Sequence, residues 1–360
     1  MSYLVRPLGA VVLGRYADRV GRKAALMLSI KLMMLGTLLI AVMPTYAAIG
    51  LTAPLGILLA RLIQGFSAGG EFGSATAFLV EHAPRMRGFM SSWQFASQGI
   101  STLLAASFGT LLSSTLSTGQ PESWGWRVPF FFGLLIGPVG YAIRRYVDES
   151  PAFAHDGDTA TGHGPVAEVL RHHKGRVLLA VAALAVSTAI TCLITYMPAV
   201  KDIDLPASTG FAATMVTGAV LTVVTPLVGH LSDKTGRIRV MAASAVLILL
   251  LIRPVFAFLV AHPGFGVMLT VMFLIGLLKA GYFGALPALL SDLFPRSSRA
   301  TGMSISYNLG VMLFGGTTPV VIVWLVDVTG DKLAVTWYLT ALAALSLAAV
   351  AIARRRFGIR

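Results

Sequence analysis

Apolar stretches long enough to cross a bilayer follow one another from end to end of this chain, and no other feature constrains its fold so strongly. Of 360 residues, 56% are hydrophobic and only 12% are charged. A soluble domain carries about 25% charged residues, so the pattern implies an all-α, polytopic membrane protein with little soluble mass. Runs of about 20 residues between loop signals give eleven spans, near 3–17, 26–46, 52–77, 89–112, 126–145, 176–198, 208–230, 240–260, 265–290, 301–326 and 333–353. The one cysteine, Cys192, excludes an internal disulfide and any cysteine-based metal cluster.

The formal net charge is +13. Such a charge would suit nucleic acid, but nearly all the basic residues sit in short loops between apolar runs, where they set topology. Consecutive loops alternate sides. One set, with the tail 354–360, holds 20 of the 28 basic residues, whereas the opposite set holds only Lys201 and Lys332. The first set is therefore read as cytoplasmic, with the Arg354-Arg355-Arg356 tail inside. The longest connection, 147–175, is rich in Gly, His, Asp and Thr. It reads as a flexible cytoplasmic linker between an amino-terminal bundle (1–146) and a carboxy-terminal bundle (176–353). Its His172-His173 pair has no further ligand at useful spacing and reads as solvated loop, so no metal site is expected.

A basic tract occurs twice. Gly14-Arg15-Tyr16-Ala17-Asp18-Arg19-Val20-Gly21-Arg22-Lys23 is answered by Gly229-His230-Leu231-Ser232-Asp233-Lys234-Thr235-Gly236-Arg237, 215 residues later. A second echo pairs Glu81-His82-Ala83-Pro84-Arg85 with Asp292-Leu293-Phe294-Pro295-Arg296, and Ser92-Trp93-Gln94 with Ser306-Tyr307-Asn308, at offsets of 211 and 214. Two matches at one period imply a duplicated transporter-like architecture with parallel repeats. The offset places the partner of span 176–198 ahead of Met1. The expectation is that one helix is absent from the amino end, a natural eleven-span chain being the alternative.

Each tract joins two helices on the face read as cytoplasmic. Glycines at its first and eighth positions suit close helix approach and a tight turn. The acid at the fifth position, Asp18 or Asp233, can face the positive end of a neighbouring helix. Arg22 and Lys23 can bridge to acids such as Glu81. The expected cytoplasmic gate is thus Gly14, Asp18, Arg19, Gly21, Arg22, Lys23 and Glu81 in one half, with Gly229, Asp233, Lys234, Gly236, Arg237 and Asp292 in the other. Charges that only enforce orientation are the alternative.

Polar residues inside apolar runs are expensive and mark function or pairing. Arg61 sits roughly 13 Å into its span at 1.5 Å per residue, with Gln64 on the same face. A guanidinium with an amide beside it suits a carboxylate, although an Arg holding helices together is equally compatible. Glu71 is the candidate for proton coupling, since a buried acid can carry a proton between states, pairing with a basic residue of the cytoplasmic rim being the alternative. Lys279 lies mid-span with Tyr282 at helical spacing. Gln94 and Gln98 on one helix, with Tyr307 and Asn308 on its repeat partner, line a pathway or bond helix to helix. Lys31 and Arg253 lie near span ends and snorkel, and Arg127 reads as an interface anchor beside Trp124 and Trp126.

The basic tract resembles the loop 2–3 signature of the major facilitator superfamily at every position of its first copy. The run Arg61-Leu62-Ile63-Gln64-Gly65-Phe66-Ser67-Ala68-Gly69-Gly70-Glu71 resembles helix 4 of its metabolite:proton symporter family. So do Arg6-Pro7-Leu8-Gly9-Ala10, Trp124-Gly125-Trp126-Arg127-Val128-Pro129-Phe130 and Phe314-Gly315-Gly316-Thr317-Thr318-Pro319. Within that family the chain is most similar to citrate and related carboxylate:proton symporters, a similarity to which Thr329-Gly330-Asp331-Lys332 adds. The resemblance implies a two-bundle fold of twelve helices, eleven of them visible. It also implies no enzymatic activity, no cofactor, protons as the coupling ion, and a monomer in the bacterial inner membrane carrying a small anionic metabolite by alternating access. Osmolyte or shikimate symport, or a truncated non-transporting remnant, are the other readings. Three departures stand out: the family's aromatic-Asp-Phe first helix would precede Met1, the chain ends at Arg360 without the coiled-coil extension of osmosensing members, and Lys279 does not stand out as a family position. Absence of a P-loop argues against a primary pump.

Overall fold

A computed structural model of the chain describes residues 2–20, 22–117, 119–146, 165–196, 207–295 and 298–359. Gly21, the side chains of Arg15, Asp18, Arg19, Arg22, Arg144 and Arg145, and the residues Lys201, Arg296 and Arg360 lie outside this set, as does the linker segment 147–164. The expectations placed on Asp18, Arg19, Gly21 and Arg22 therefore fall outside the described residues.

The described residues are helical with short turns. In chain order the α-helices of eight residues or more are α1 (Ser2–Val20), α2 (Arg22–Val42), α3 (Thr52–Gly69), α4 (Glu71–His82), α5 (Arg87–Thr115), α6 (Val128–Tyr146), α7 (Pro165–His172), α8 (Lys174–Tyr196), α9 (Ala207–Thr235), α10 (Arg237–Ala261), α11 (Phe265–Phe283), α12 (Leu286–Leu293), α13 (Arg299–Gly310), α14 (Thr318–Thr329) and α15 (Ala334–Phe357). Among the described residues, eight helical stretches are long and apolar enough to cross a membrane. This is a multi-pass membrane protein. The other three expected spans are helical too: α1, whose apolar part is Ser2–Gly14, the pair α3–α4, and α6.

Two expected spans are broken. The first divides at Gly70 between α3 and α4, the second at Gly284-Ala285 between α11 and α12. A third is interrupted where α13 passes into a single π-helical turn, Val311–Gly315, before Pro319 opens α14. Breaks of this kind survive in a membrane where neighbouring helices satisfy the freed backbone groups. The sequence pattern marked them only by glycine and proline.

The helices form two compact units. The first comprises residues 1–78, 115–174 and 296–309. Here α1 lies against α3 at backbone contact. A Cβ on Gly65 would run into the Ser2 carbonyl and one on Gly69 into the Arg6 carbonyl, so only glycine fits this Gly-x-x-x-Gly seam. Ser67 donates to the Ser29 carbonyl at 2.6 Å, tying α3 to α2. The second unit comprises 79–114, 175–295 and 310–360. In it Thr217 of α9 donates to the Met272 carbonyl of α11 at 2.9 Å, and Ser346 of α15 to the Ala182 carbonyl of α8 at 2.8 Å.

Apolar side chains face outward as well as inward. Leu4, Leu8 and Val12 make an exposed stripe on α1, and Val320, Val323, Trp324 and Val328 one on α14. In lipid these faces carry no penalty, because acyl chains are as apolar as Leu.

One expectation needs correcting. The linker is not loop throughout, since residues 165–172 form α7. Val166 and Val169, three apart, share a face of that helix and are buried, which is the spacing that makes a short amphipathic helix worth folding. His173 lies 3.7 Å from Glu168, and no metal-binding cluster occurs among the described residues.

Candidate functional site

The second basic tract builds a charge cluster within the second unit. Asp233, in the last turn of α9, accepts the backbone N–H of Gly88 at 2.7 Å and of Phe89 at 2.9 Å. These are orphan donors of the first turn of α5, so the carboxylate caps that helix from a neighbour and sits on the positive end of its dipole. Arg237, opening α10, pairs with Asp292 and lies 3.9 Å from Asp233. Arg87 reaches the same Asp292 at 3.5 Å. Two acids and two arginines from four helices thus meet in one place. Sequence reasoning placed Asp233, Arg237 and Asp292 in the gate and passed over Arg87, whose signal was its position ahead of the glycine that α5 needs.

That glycine is Gly88. A Cβ there would lie 2.5 Å from the Gly229 carbonyl, and one on Gly229 would lie 2.6 Å from the Gly88 carbonyl. The first-position glycine of the second tract therefore permits close approach, as expected. The eighth, Gly236, adopts φ +97° in the turn between α9 and α10, a conformation that favours glycine. Gly14 is the correction: it lies within α1 and a Cβ on it would meet nothing within 4 Å, so no close approach depends on it. Lys234 is exposed, whereas Lys23 and Glu81 are half-buried.

In the first unit, Arg61 is exposed on α3 and its Nη1 donates to Gln64 Oε1 at 3.3 Å. The Gln64 amide in turn donates to Thr37 Oγ1 at 2.9 Å, and Thr37 to the Met33 carbonyl at 2.9 Å. The shared face is as expected, and a chain of hydrogen bonds running to α2 holds the amide that holds the guanidinium. No acidic partner of Arg61 occurs among the described residues. Glu71 opens α4 just past the break, half-buried, and lines a cavity of about 260 Å³ with Met33, Met34, Thr37 of α2 and Gly133, Gly137 of α6.

Tyr307 and Asn308 are brought to the same break. The Tyr307 ring stacks on Phe72 at 3.6 Å between centroids. Asn308 is fully buried, and its Nδ2 donates to the Gly69 carbonyl at 2.6 Å and to the Ser304 carbonyl at 2.7 Å. The carbonyl freed by the break is thereby satisfied. Its Oδ1 is buried with no hydrogen-bond partner among the described residues.

In the second unit Lys279 is only 3% exposed, and its ammonium lies over the Phe283 ring at 4.7 Å. It has no hydrogen bond or ion pair among the described residues. Cys192 of α8 is near enough for the two groups to interact electrostatically, and its thiol donates to the Gly315 carbonyl in the π-helical turn at 3.2 Å. Tyr282 is fully buried and its hydroxyl donates to the Ala183 carbonyl of α8 at 2.8 Å. That bond ties two helices and engages its proton inside the bundle. Gln94 and Gln98 are half-buried along α5.

Arg6, in α1, was not among the expected site residues. Its guanidinium stacks on Tyr3 at 4.8 Å, and its Nε is buried without a hydrogen-bond partner among the described residues. The signal was simply a basic residue inside the first apolar run. Arg127 donates to the Ser123 and Met43 carbonyls at 2.7 and 2.8 Å, as an anchor would, and Arg253 covers Trp337 at 4.3 Å.

Comparison with known proteins follows the same lines. The profile of the Major Facilitator Superfamily matches residues 1–252 and 207–358. A citrate-proton symporter of Salmonella typhi is 38% identical over 358 residues, which cover 98% of this chain and 82% of that protein. The ectoine/proline transporter ProP of Corynebacterium glutamicum is 35% identical, covering 92% of this chain and 69% of its own length. Among solved structures, the proton:xylose symporter XylE bound to a bromodeoxyglucose superimposes with a TM-score of 0.76 at 17% identity, over 99% of this chain and 84% of that one. The E. coli fucose:proton symporter FucP does so with 0.70 at 15%, over 97% and 88%. These two likenesses speak for the fold alone. With a family profile along its length and a relative 38% identical across 98% of it, the chain belongs to the Major Facilitator Superfamily.

Proposed function

We propose that the protein is a secondary transporter of the bacterial inner membrane that carries a small organic acid, citrate or a similar di- or tricarboxylate, inward with protons. One observation carries the substrate class: Arg61 and Lys279, in apolar helices of different units, have no acidic partner among the described residues. A cation at a membrane-spanning position costs at least about 2.5–3.5 kcal/mol on insertion scales, and a carboxylate cargo supplies the missing counter-charge. The citrate-proton symporters of Salmonella typhi and Klebsiella pneumoniae, 38% and 36% identical, support it. The similarly covered osmolyte transporters supply the second reading.

The working cycle is alternating access without ATP. The candidate substrate contacts are Arg61, steadied by Gln64, and Tyr307 in the first unit, and Lys279, Gln94 and Gln98 in the second. Glu71 takes up and releases the coupling proton. The cluster of Arg87, Asp233, Arg237 and Asp292 is a latch, and the Asn308–Gly69 bond is another. Each joins residues from the two sequence halves, 1–146 and 176–353, and must break for those halves to rock apart. The protein functions as a monomer with its carboxy-terminal tail in the cytoplasm, and it needs no cofactor.

Uptake of labelled citrate, 2-oxoglutarate, shikimate, proline and betaine into proton-energised vesicles tests this. Citrate entry that collapses with a protonophore supports the reading, whereas entry of proline or betaine alone overturns the substrate class. Labelling of Cys192 by N-ethylmaleimide gives an independent measurement, because it is the chain's one cysteine. Citrate slows that labelling in the wild type and leaves it unchanged in Lys279→Gln.

A further inference from the structure

The described part of α10 and α15 carries a cavity whose lining includes none of the residues assigned to transport above. It is a trough of about 420 Å³ at the arginine-bearing ends of these two packed helices. It is lined by Ile238 and Ala242 of α10 and by Leu347, Val350, Ala351, Arg354 and Arg355 of α15. The trough exists because small residues, Ala242 and Ala351, face a place where larger ones would fill the gap. Leu247 and Leu250 on α10 and Leu345 on α15, farther along the helices from Arg237 and Arg354, are exposed too.

Arg354 and Arg355 are both exposed, and neither has an ion pair among the described residues. Arg237, one residue before Ile238, is by contrast engaged by two acids. The trough is therefore lined by two guanidinium groups with no ion pair among the described residues, and a guanidinium matches phosphate with paired hydrogen bonds. Basic pockets between spanning helices at a membrane surface suit anionic headgroups.

We propose that this trough is a binding site for an anionic glycerophospholipid of the leaflet that meets the arginine end of α15. An acyl chain lies along Ile238, Ala242, Leu347 and Ala351, and the headgroup phosphate sits on Arg354 and Arg355. A soluble anion would have no use for the apolar trough, and a neutral lipid none for the unpaired arginines. Charge and shape together select the one amphiphile that carries both parts.

The test uses the full chain in detergent micelles doped with equal dioleoyl phosphatidylglycerol and dioleoyl phosphatidylcholine, with retained lipid read by native mass spectrometry. The wild type is expected to retain phosphatidylglycerol in preference. Arg354→Gln with Arg355→Gln lowers that retention roughly 30-fold, the attraction of two basic side chains at a membrane surface. Ala351→Phe fills the trough without touching charge and lowers retention too. Arg171→Gln with Lys174→Gln removes equal charge elsewhere and leaves retention unchanged. Equal retention of the two lipids overturns the proposal. So does an Ala351→Phe variant that holds phosphatidylglycerol as the wild type does, since the arginines then act as bare surface charge. A wild-type dimer that Ala351→Phe converts to monomer also overturns it, because the occupant is then a second copy of the chain.

Discussion

The broken helix α3–α4 and its repeat partner α11–α12 have the same shape and different chemistry. Their breaks, at Gly70 and Gly284, lie 214 residues apart, the offset of the sequence repeat. At the first, the freed Gly69 carbonyl is met by the Asn308 amide, and Phe72 is covered by Tyr307. At the second, the neighbours are apolar: Phe95 stacks on Phe283 at 4.0 Å, and the Val228 side chain lies where a Cβ on Gly284 would come within 2.7 Å of it. The cation of the first helix, Arg61, is exposed and hydrogen-bonded to Gln64; that of the second, Lys279, is buried over an aromatic ring. Duplication has kept the geometry of the bend and let the side chains around it diverge.

This contrast can be broken experimentally. Phe95→Ala empties the apolar side of the second break and should destabilise the protein by about 3–5 kcal/mol, read as loss of thermal unfolding midpoint in detergent. A change within error would mean that Phe283 does not depend on its partner. Arg61→Gln and Lys279→Gln should each depress citrate uptake about 100-fold, as loss of a charged hydrogen-bonding contact to the substrate does. Lys279→Gln should do so with little loss of thermal stability, since the wild-type ammonium has no ion pair among the described residues. If Lys279→Gln transports normally, the cation of the second helix is structural and the two helices differ more than argued.

Asn308→Ala leaves the Gly69 carbonyl unbonded in a buried place and should cost about 1–3 kcal/mol. It sharpens the comparison because the polar break then resembles the apolar one. Tyr282→Phe removes one neutral hydrogen bond, to Ala183, and should cost about 1 kcal/mol while leaving uptake intact. Loss of uptake with unchanged stability would move Tyr282 from helix tie to substrate contact. Smallest of all, Gly14→Ala meets open space and should stabilise α1 by roughly 0.5–1 kcal/mol, the ordinary gain of alanine over glycine inside a helix.

Much of this was legible in the sequence. Span positions followed from apolar run length, and Asp233 could be assigned a helix end because nothing in topology calls for an acid there. Arg61 with Gln64 followed from helical spacing. Other features were not legible. The register of α5 on α9, which makes Gly88 and Gly229 neighbours, depends on two glycines 141 residues apart. Asn308 reads locally as a polar residue on a helix face; its bond to Gly69 exists only because α13 is packed against a helix break. The linker looked structureless because its composition is polar, and two valines were enough to fold residues 165–172 where they found a surface.

Sequence alone determined the helical class, the order of the spans and the duplication, because hydropathy, charge placement and glycine spacing act along a single helix and a bilayer accepts few solutions. Tertiary structure decided which charges meet and which stay unpaired. Lipid imposes no register between helices, so the meeting of Arg87, Arg237 and Asp292, and the solitude of Lys279, are set by side-chain packing across segments far apart in the chain.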